Sequence, residues 1–218
     1  MLDFIEKPAK SGRNRYLMFL LHGYYGNGEN IMGLANYFAD ISDDICFIAP
    51  NAPEKIADDG YQWFPLDAEC ITPESVSKSV AVNHWIFHDF LKKQIEELSM
   101  DYSNVFLVGF SQGAMVALYT GVRLDARIGG IVSFSGLQPD CADNIKSSWK
   151  TEQRILMLHS ANDTVVPYEC LSYSQNLLKS FGLEITVHTC RNNAGHCIDQ
   201  DCIAAAKGFL DKIINNRS

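Results

Sequence analysis

Short, unbroken apolar runs alternate with stretches of helical periodicity along the whole chain. The runs fall at residues 16–21, 45–49, 105–110, 131–134, 155–158 and 185–187. Strands covered by helices on both sides read this way, because a parallel sheet leaves neither strand face to water. Between the runs, the pattern predicts helices near 29–39, 74–98, 112–124, 168–181 and 199–214. The longest places Val76, Val80, His84, Phe87, Leu91, Ile95 and Leu98 three or four residues apart, which is the spacing of one helical face. Thr72 is its expected N-cap, with Pro73 in the first turn. No internal repeat, low-complexity tract or linker interrupts the alternation.

Strand–helix alternation of this kind predicts an α/β fold with a doubly wound, mostly parallel sheet and right-handed crossovers, built as one domain over residues 1–218. In such sheets ligands sit beyond the carboxyl ends of the strands. Candidate chemistry should therefore appear just after the apolar runs.

It does so three times. Ser111 follows the run 105–110 inside Gly109-Phe110-Ser111-Gln112-Gly113 and precedes a helical segment. A nucleophile on a tight strand-to-helix turn needs this setting: the flanking glycines avoid Cβ clashes, and the helix N-terminus points N–H groups at developing negative charge. The bland alternative is a serine that only caps a helix. A serine hydroxyl also needs a base, and the base needs a carboxylate to hold its tautomer. Asp163 follows the run 155–158, in His159-Ser160-Ala161-Asn162-Asp163. His196 follows the run 185–187, after Asn192-Asn193-Ala194-Gly195. The order Ser, acid, His is the one expected on this kind of sheet. His188 lies in or beside its strand and reads as packed or surface-lying. Asp125, Asp140 and Asp143 are weaker acids, since none directly follows a strand. Two N–H donors are expected to form an oxyanion hole: the amide of Gln112, and that of Tyr24 after His22-Gly23 at the end of the first run. Tyr24, Tyr25, Trp63, Phe64 and Val165 are candidates for an apolar, substrate-binding wall. The connection over 50–73 is long enough to close part of a pocket.

Composition narrows the partners. The 218 residues carry a formal net charge of −8, and 47% are hydrophobic. That balance argues against sequence-independent binding to nucleic acid, which needs clustered Lys and Arg. No stretch approaches the ~18 apolar residues of a membrane span. The seven cysteines, an odd number with no C-x-x-C pair, read as reduced thiols, and with no basic-then-apolar leader at 1–8 the expected location is the cytoplasm. Cys190, Cys197 and Cys202 near His196 raise a zinc reading, but their spacings fit no usual ligand pattern. Gly23, Gly26 and Gly28 match no phosphate-binding motif. No metal is expected.

Taken together, Leu21–Asn30 (LHGYYGNGEN), APNAPE at 49–54, YQWFPL at 61–66, GFSQGAMVAL at 109–118, HSANDTVVP at 159–167 and AGHCI at 194–198 resemble the acyl-protein thioesterases and small bacterial carboxylesterases. These form a minimal branch of the α/β hydrolases without a large lid domain. The resemblance implies Ser111 as nucleophile, Asp163 as acid and His196 as base, with the amides of Tyr24 and Gln112 as the oxyanion hole. It also implies cleavage of carboxylic esters, acyl thioesters or lysophospholipids without a cofactor, by a monomer or homodimer acting on small acyl esters or acylated proteins. Two positions depart from the family pattern: Tyr25 stands where glycine is common, and Ser160 replaces the glycine of H-G-x-x-D. Lysophospholipase activity shares every one of these residues. A dienelactone-type hydrolase would carry cysteine at 111. A binding module on the same scaffold would normally lack one of the three polar partners.

Overall fold

The computed structural model describes residues 1–66, 71–139, 153–191 and 195–216. Asp140, Asp143, Cys70, Cys141 and the 192–194 stretch before His196 lie outside them. Seven strands form the main sheet: β1 (Phe4–Lys7), β2 (Tyr16–Leu21), β3 (Ile45–Pro50), β6 (Val105–Phe110), β7 (Gly130–Phe134), β8 (Arg154–Ser160) and β9 (Glu184–Cys190). Their order is β1-β3-β2-β6-β7-β8-β9. All neighbours run parallel except β1, which pairs antiparallel with β3. Strands β4 (Glu54–Lys55) and β5 (Tyr61–Gln62) form a separate small hairpin. The edge strand β1 escapes a reading by apolar runs, because Phe4–Lys7 is half polar and only partly buried.

All six residues of β2 and of β3 are buried, as helices on both faces require. On one face, Leu17, Phe19, Leu21, Leu107, Ile131 and Met157 pack beneath α3 (Pro73–Glu97), α4 (Gln112–Gly121) and α5 (Glu169–Ser180). On the other, Met18, Leu20, Phe47, Phe106, Val132 and Leu156 pack against α1 (Gly28–Met32), α2 (Ala35–Phe38) and α6 (Gln200–Asn215). The alternation of odd and even positions between the two clusters is the strand period made visible. Phe19 meets Phe87 and Phe90 of α3 edge-on, with ring centroids 6.1 and 6.2 Å apart. Thr72 and Ser75 cap α3 reciprocally. The helix expected near 29–39 is divided in two, α1 ending at the Gly33 C-cap.

Strand order reverses direction between β2 and β6. Chain from β2 passes outward to β3, whereas β6 leads to β7, β8 and β9 on the other side. A crevice opens at such a switch point, beyond the carboxyl ends of the two strands. Leu21 pairs with Gly109 there.

Cys190, the last residue of β9, and Cys202, in the first turn of α6, are joined in a disulfide, with Cα atoms 5.4 Å apart. They are not free thiols, and the argument from reduced thiols to the cytoplasm lapses for this pair. Spacing along the chain could not show the bond, because the fold returns α6 to the end of β9. Cys46, Cys170 and Cys197 take no part in a disulfide. Among the described residues, no helix is long and apolar enough to cross a membrane.

The disulfide closes the connection that carries His196. Mass spectrometry of an unreduced digest should find the Cys190 and Cys202 peptides linked; both recovered as separately alkylated thiols would refute the bond. Replacing both by alanine should cost about 3 kcal/mol of stability in a denaturant titration, as expected for a loop of this length.

Candidate active site

The turn from β6 into α4 places Ser111 at the switch point. Ser111 takes φ 53° and ψ −119°, a backbone conformation that L-residues adopt only when the surroundings compel it. Its own amide donates to Phe134 O (2.9 Å), which ties the turn to β7. The flanking glycines are demanded by space. A Cβ on Gly109 would lie 2.5 Å from the carbonyl carbon and oxygen of Gly113, and one on Gly113 would run into the carbonyls of Leu21 and His22. The start of α4 thus lies directly against the end of β2.

Beyond β8, Asp163 is fixed by its own loop: Oδ1 accepts from the amides of Val165 (3.0 Å) and Val166 (2.9 Å). Its Oδ2 lies 2.8 Å from His196 Nδ1, and His196 Nε2 lies 3.0 Å from Ser111 Oγ. Three side chains widely separated in sequence therefore meet in one hydrogen-bonded chain. Burial pushes the Asp163 carboxyl up, but the hydrogen bond from His196 and the amides of Val166 and Val165 outweigh it and hold it below the ordinary carboxylate range. At neutral pH it is an anion that orients one imidazole. The serine hydroxyl faces the opposite nitrogen of that ring, an arrangement that can remove the hydroxyl proton during nucleophilic attack. The two loops are also joined by uncharged contacts. Ser160 Oγ donates to Asn162 Oδ1 (2.6 Å), and that oxygen accepts from the Gly195 amide (3.1 Å). Serine at 160, where the related pattern has glycine, thus supports Asn162, whose Oδ1 ties the Asp163 loop to the His196 loop through the Gly195 amide.

Met115 N–H closes onto Ser111 O (3.1 Å) as the first bond of the α4 ladder, so the Gln112 amide precedes the ladder and belongs to the unpaired first turn. After β2, the turn is closed by Gly26 N–H to Gly23 O (3.1 Å), and the Tyr25 amide donates to Tyr61 O (3.0 Å). Neither bond uses the Tyr24 amide. Beneath this turn, His22 Nδ1 donates to Gly23 O (2.7 Å) and its Nε2 accepts from the Ala52 amide (3.0 Å), which fixes the tautomer. Burial lowers its pKa to about 4, against a weaker pull upward from the Gly23 carbonyl. His22 is a neutral brace for the loop.

A cavity of about 220 Å3 opens over Ser111 and His196. It is lined by Tyr24, Leu66, Ile71, Phe110, Met115, Val165 and Val166. Of the expected wall, Tyr24 and Val165 are there. Trp63, Phe64 and Tyr25 are not among its lining residues. Trp63 and Phe64 are core residues: Trp63 Nε1 donates to His22 O (2.9 Å), and its ring meets Phe87 at 5.6 Å. Tyr25 takes φ 63°, the left-handed conformation that glycine would adopt without strain, and its ring covers Gly60 while remaining 61% exposed. Its bulk points to solvent. The sequence reading missed Leu66, Ile71, Phe110, Met115 and Val166. Two of these had a signal: Phe110 directly precedes Ser111, and Met115 lies one helical turn after it. Also missed was the Gln112 side chain, which accepts from the Trp63 amide (2.8 Å) and donates to Phe64 O (2.6 Å). His188 binds Asp201 (2.9 Å) on the flank of β9, and Asp125 belongs to the turn after α4.

The phospholipase/carboxylesterase family profile matches residues 3–214. Acyl-protein thioesterase 1 of Debaryomyces hansenii is 28% identical over 224 residues, covering 95% of this chain and 93% of its own. Acyl-protein thioesterase 1 homolog 1 of Dictyostelium discoideum is 27% identical over 200 residues, covering 87% and 88%. The crystal structure of esterase PE8 superposes with a TM-score of 0.92 at 33% identity, covering 98% of this chain and 99% of that one.

The buried, neutral state of His22 has a consequence for stability. Its folded pKa lies below the unfolded value of 6.5, so between those values the unfolded chain binds the extra proton. The stability that neutral His22 contributes is complete above about pH 6.5 and is lost as pH falls toward 4, about 3 kcal/mol in all. Urea midpoints at pH 7 and 4.5 should therefore differ in the wild type and differ less in His22→Gln. Equal acid losses in the two proteins would contradict the assignment.

Proposed function

The chain belongs to the phospholipase/carboxylesterase family, and on that premise we propose that it hydrolyses carboxylic esters or acyl thioesters through an acyl-enzyme on Ser111. The observation that carries this reading is the hydrogen-bonded chain from Ser111 Oγ through His196 to Asp163. Ser111 Oγ attacks the acyl carbonyl carbon while His196 Nε2 takes its proton. The tetrahedral oxyanion is received by the amides of Gln112 and Tyr24, each worth ~3 kcal/mol to the transition state in comparable sites. As the intermediate collapses, the bond to the alkoxide or thiolate breaks, and the His196 proton goes to that leaving group. Water then gives a proton to the same nitrogen and attacks the acyl carbon. Ser111 leaves, takes the proton back, and the carboxylic acid is released. Asp163 stays ionised throughout and stabilises the imidazolium.

The apolar cavity over Ser111 suits an acyl group, and exposed Tyr24 and Val165 at its rim suit an apolar substrate. The substrates are accordingly small acyl esters or acylated proteins, and no cofactor enters the scheme. Lysophospholipids fall within the same chemistry, and only substrate trials separate them.

A fluorophosphonate probe should label the wild type at Ser111 and leave Ser111→Ala unlabelled, with ester turnover lost by at least about a thousandfold and the fold retained. Asp163→Asn should lose about 10^3- to 10^4-fold in kcat. Labelling and turnover that survive in Ser111→Ala would overturn the proposal.

A further inference from the structure

A second imidazole lies behind Asp163. His159, the penultimate residue of β8, is 1% exposed. Its Nε2 lies 2.8 Å from Val166 O. A carbonyl oxygen only accepts, so Nε2 carries the proton. The same nitrogen stands 3.5 Å from Asp163 Oδ2, the oxygen that receives His196. That separation is too long for a hydrogen bond, and the Nε2 proton is already given to Val166 O, so the ring meets the carboxylate as a neutral neighbour packed behind it. His159 Nδ1 is buried without a partner among the described residues. A proton placed there would be a buried, unpaired donor on a charged ring, which is costly. The ring is therefore held neutral by geometry. Burial also pushes its pKa down, opposed by the Val166 carbonyl and by Asp163 and Glu169, with His196 adding to the lowering. Tyr168 packs edge-on against the ring at 5.9 Å.

Val166 closes a ring of contacts. Its N–H donates to Asp163 Oδ1, and its C=O receives His159 Nε2. We propose that His159 is a positioning residue: it anchors the Val166 peptide and covers Asp163 from behind, so that the carboxylate keeps the orientation in which it receives His196. This inference rests on the proposed roles of Ser111, Asp163 and His196. The side chain at this position must donate a hydrogen bond and cover the carboxylate without carrying charge. Lysine or arginine there would pair with Asp163 and compete with His196. An apolar residue would leave the Val166 carbonyl unpaired and free the acid loop.

The test compares His159→Leu with His159→Gln, whose Nε2 reaches about as far as the imidazole nitrogen. In His159→Leu, kcat should fall about 10- to 100-fold, well beyond the change in KM that the freed Val165–Val166 part of the cavity wall brings. The acid limb of kcat/KM should move to lower pH, because a loosened carboxylate stabilises the imidazolium of position 196 less well. His159→Gln should recover most of kcat and return the limb to its wild-type position. A folded His159→Leu with kcat within twofold of wild type would overturn the proposal. So would a lowered kcat with an unmoved limb, or a glutamine variant as damaged as the leucine one, since either marks a structural role alone. Should His159→Leu fail to fold, 15N NMR of histidine-labelled wild type decides. His159 should stay in the Nε2–H form and neutral at neutral pH, and a ring that takes up its proton at or above the ordinary imidazole range would refute the assignment. Wild-type protein that neither reacts with fluorophosphonate nor cleaves esters would instead sink the functional reading. Normal wild-type labelling beside an indifferent His159→Leu sinks only this inference.

Discussion

Everything at the site depends on how closely the start of α4 approaches the end of β2. The two strands β2 and β6 are hydrogen-bonded neighbours at the point where strand order reverses, so their outgoing chains must pass each other in a narrow space. Gly113 has no room for a side chain against the carbonyls of Leu21 and His22, and Gly109 has none against Gly113. That crowding forces Ser111 into its left-handed backbone conformation and brings the first amide of α4 beside the His22–Tyr24 turn. The backbone conformation of Ser111, its proposed part as nucleophile and the proposed N–H donors therefore share one steric cause. A substitution at Gly113 would disturb all of them together, because the obstacle is rigid backbone and no flexible side chain could yield.

The acid–base side of the site is held differently, by polar contacts among loops that leave β8 and β9. Asp163 is the one anion at its centre, and its depressed pKa comes from donors arranged around it despite burial. Three histidines stand near this machinery, and their surroundings sort them. His22 and His159 each donate to a backbone carbonyl from a buried ring, and burial keeps both neutral. His196 keeps part of its side chain in solvent and has a carboxylate on one nitrogen and a hydroxyl on the other. Only that ring has both an anion to support a proton and a path to the reacting atom. The Ser160–Asn162–Gly195 contacts and the Cys190–Cys202 bond both act on the connection that presents it.

The parts legible in the sequence are those with one dominant physical cause. Strands buried on both faces have no polar alternation, so β2, β3 and β6–β8 stand out as apolar runs, whereas β1 at the edge does not. Ser111, Asp163 and His196 were findable because each follows a strand, and the sheet gathers its carboxyl ends at one edge. Which aromatics face the cavity was not legible. Trp63 and Phe64 have the same chemistry whether they meet substrate or core, and their placement comes from hydrogen bonds to His22 and Gln112 that no spacing announces. Tyr25 carries a residue type that hides a conformation glycine would have advertised. The disulfide depends on α6 returning to β9, a tertiary event without a local pattern.

Gln112 links the two halves of the site's design. Its backbone amide lies in the open first turn of α4, while its buried side chain grips both Trp63 N–H and Phe64 C=O. The connection held this way runs on to Leu66 and returns at Ile71, both of which line the cavity. A movement of α4 relative to β2 would then shift the proposed oxyanion donor and the Trp63–Phe64 segment together. Coupling them through one residue holds the cavity in register with the Ser111 hydroxyl. A separate lid would have to find that register anew at each closure. A minimal fold can in this way link the two sides of its cavity through the edge of its sheet.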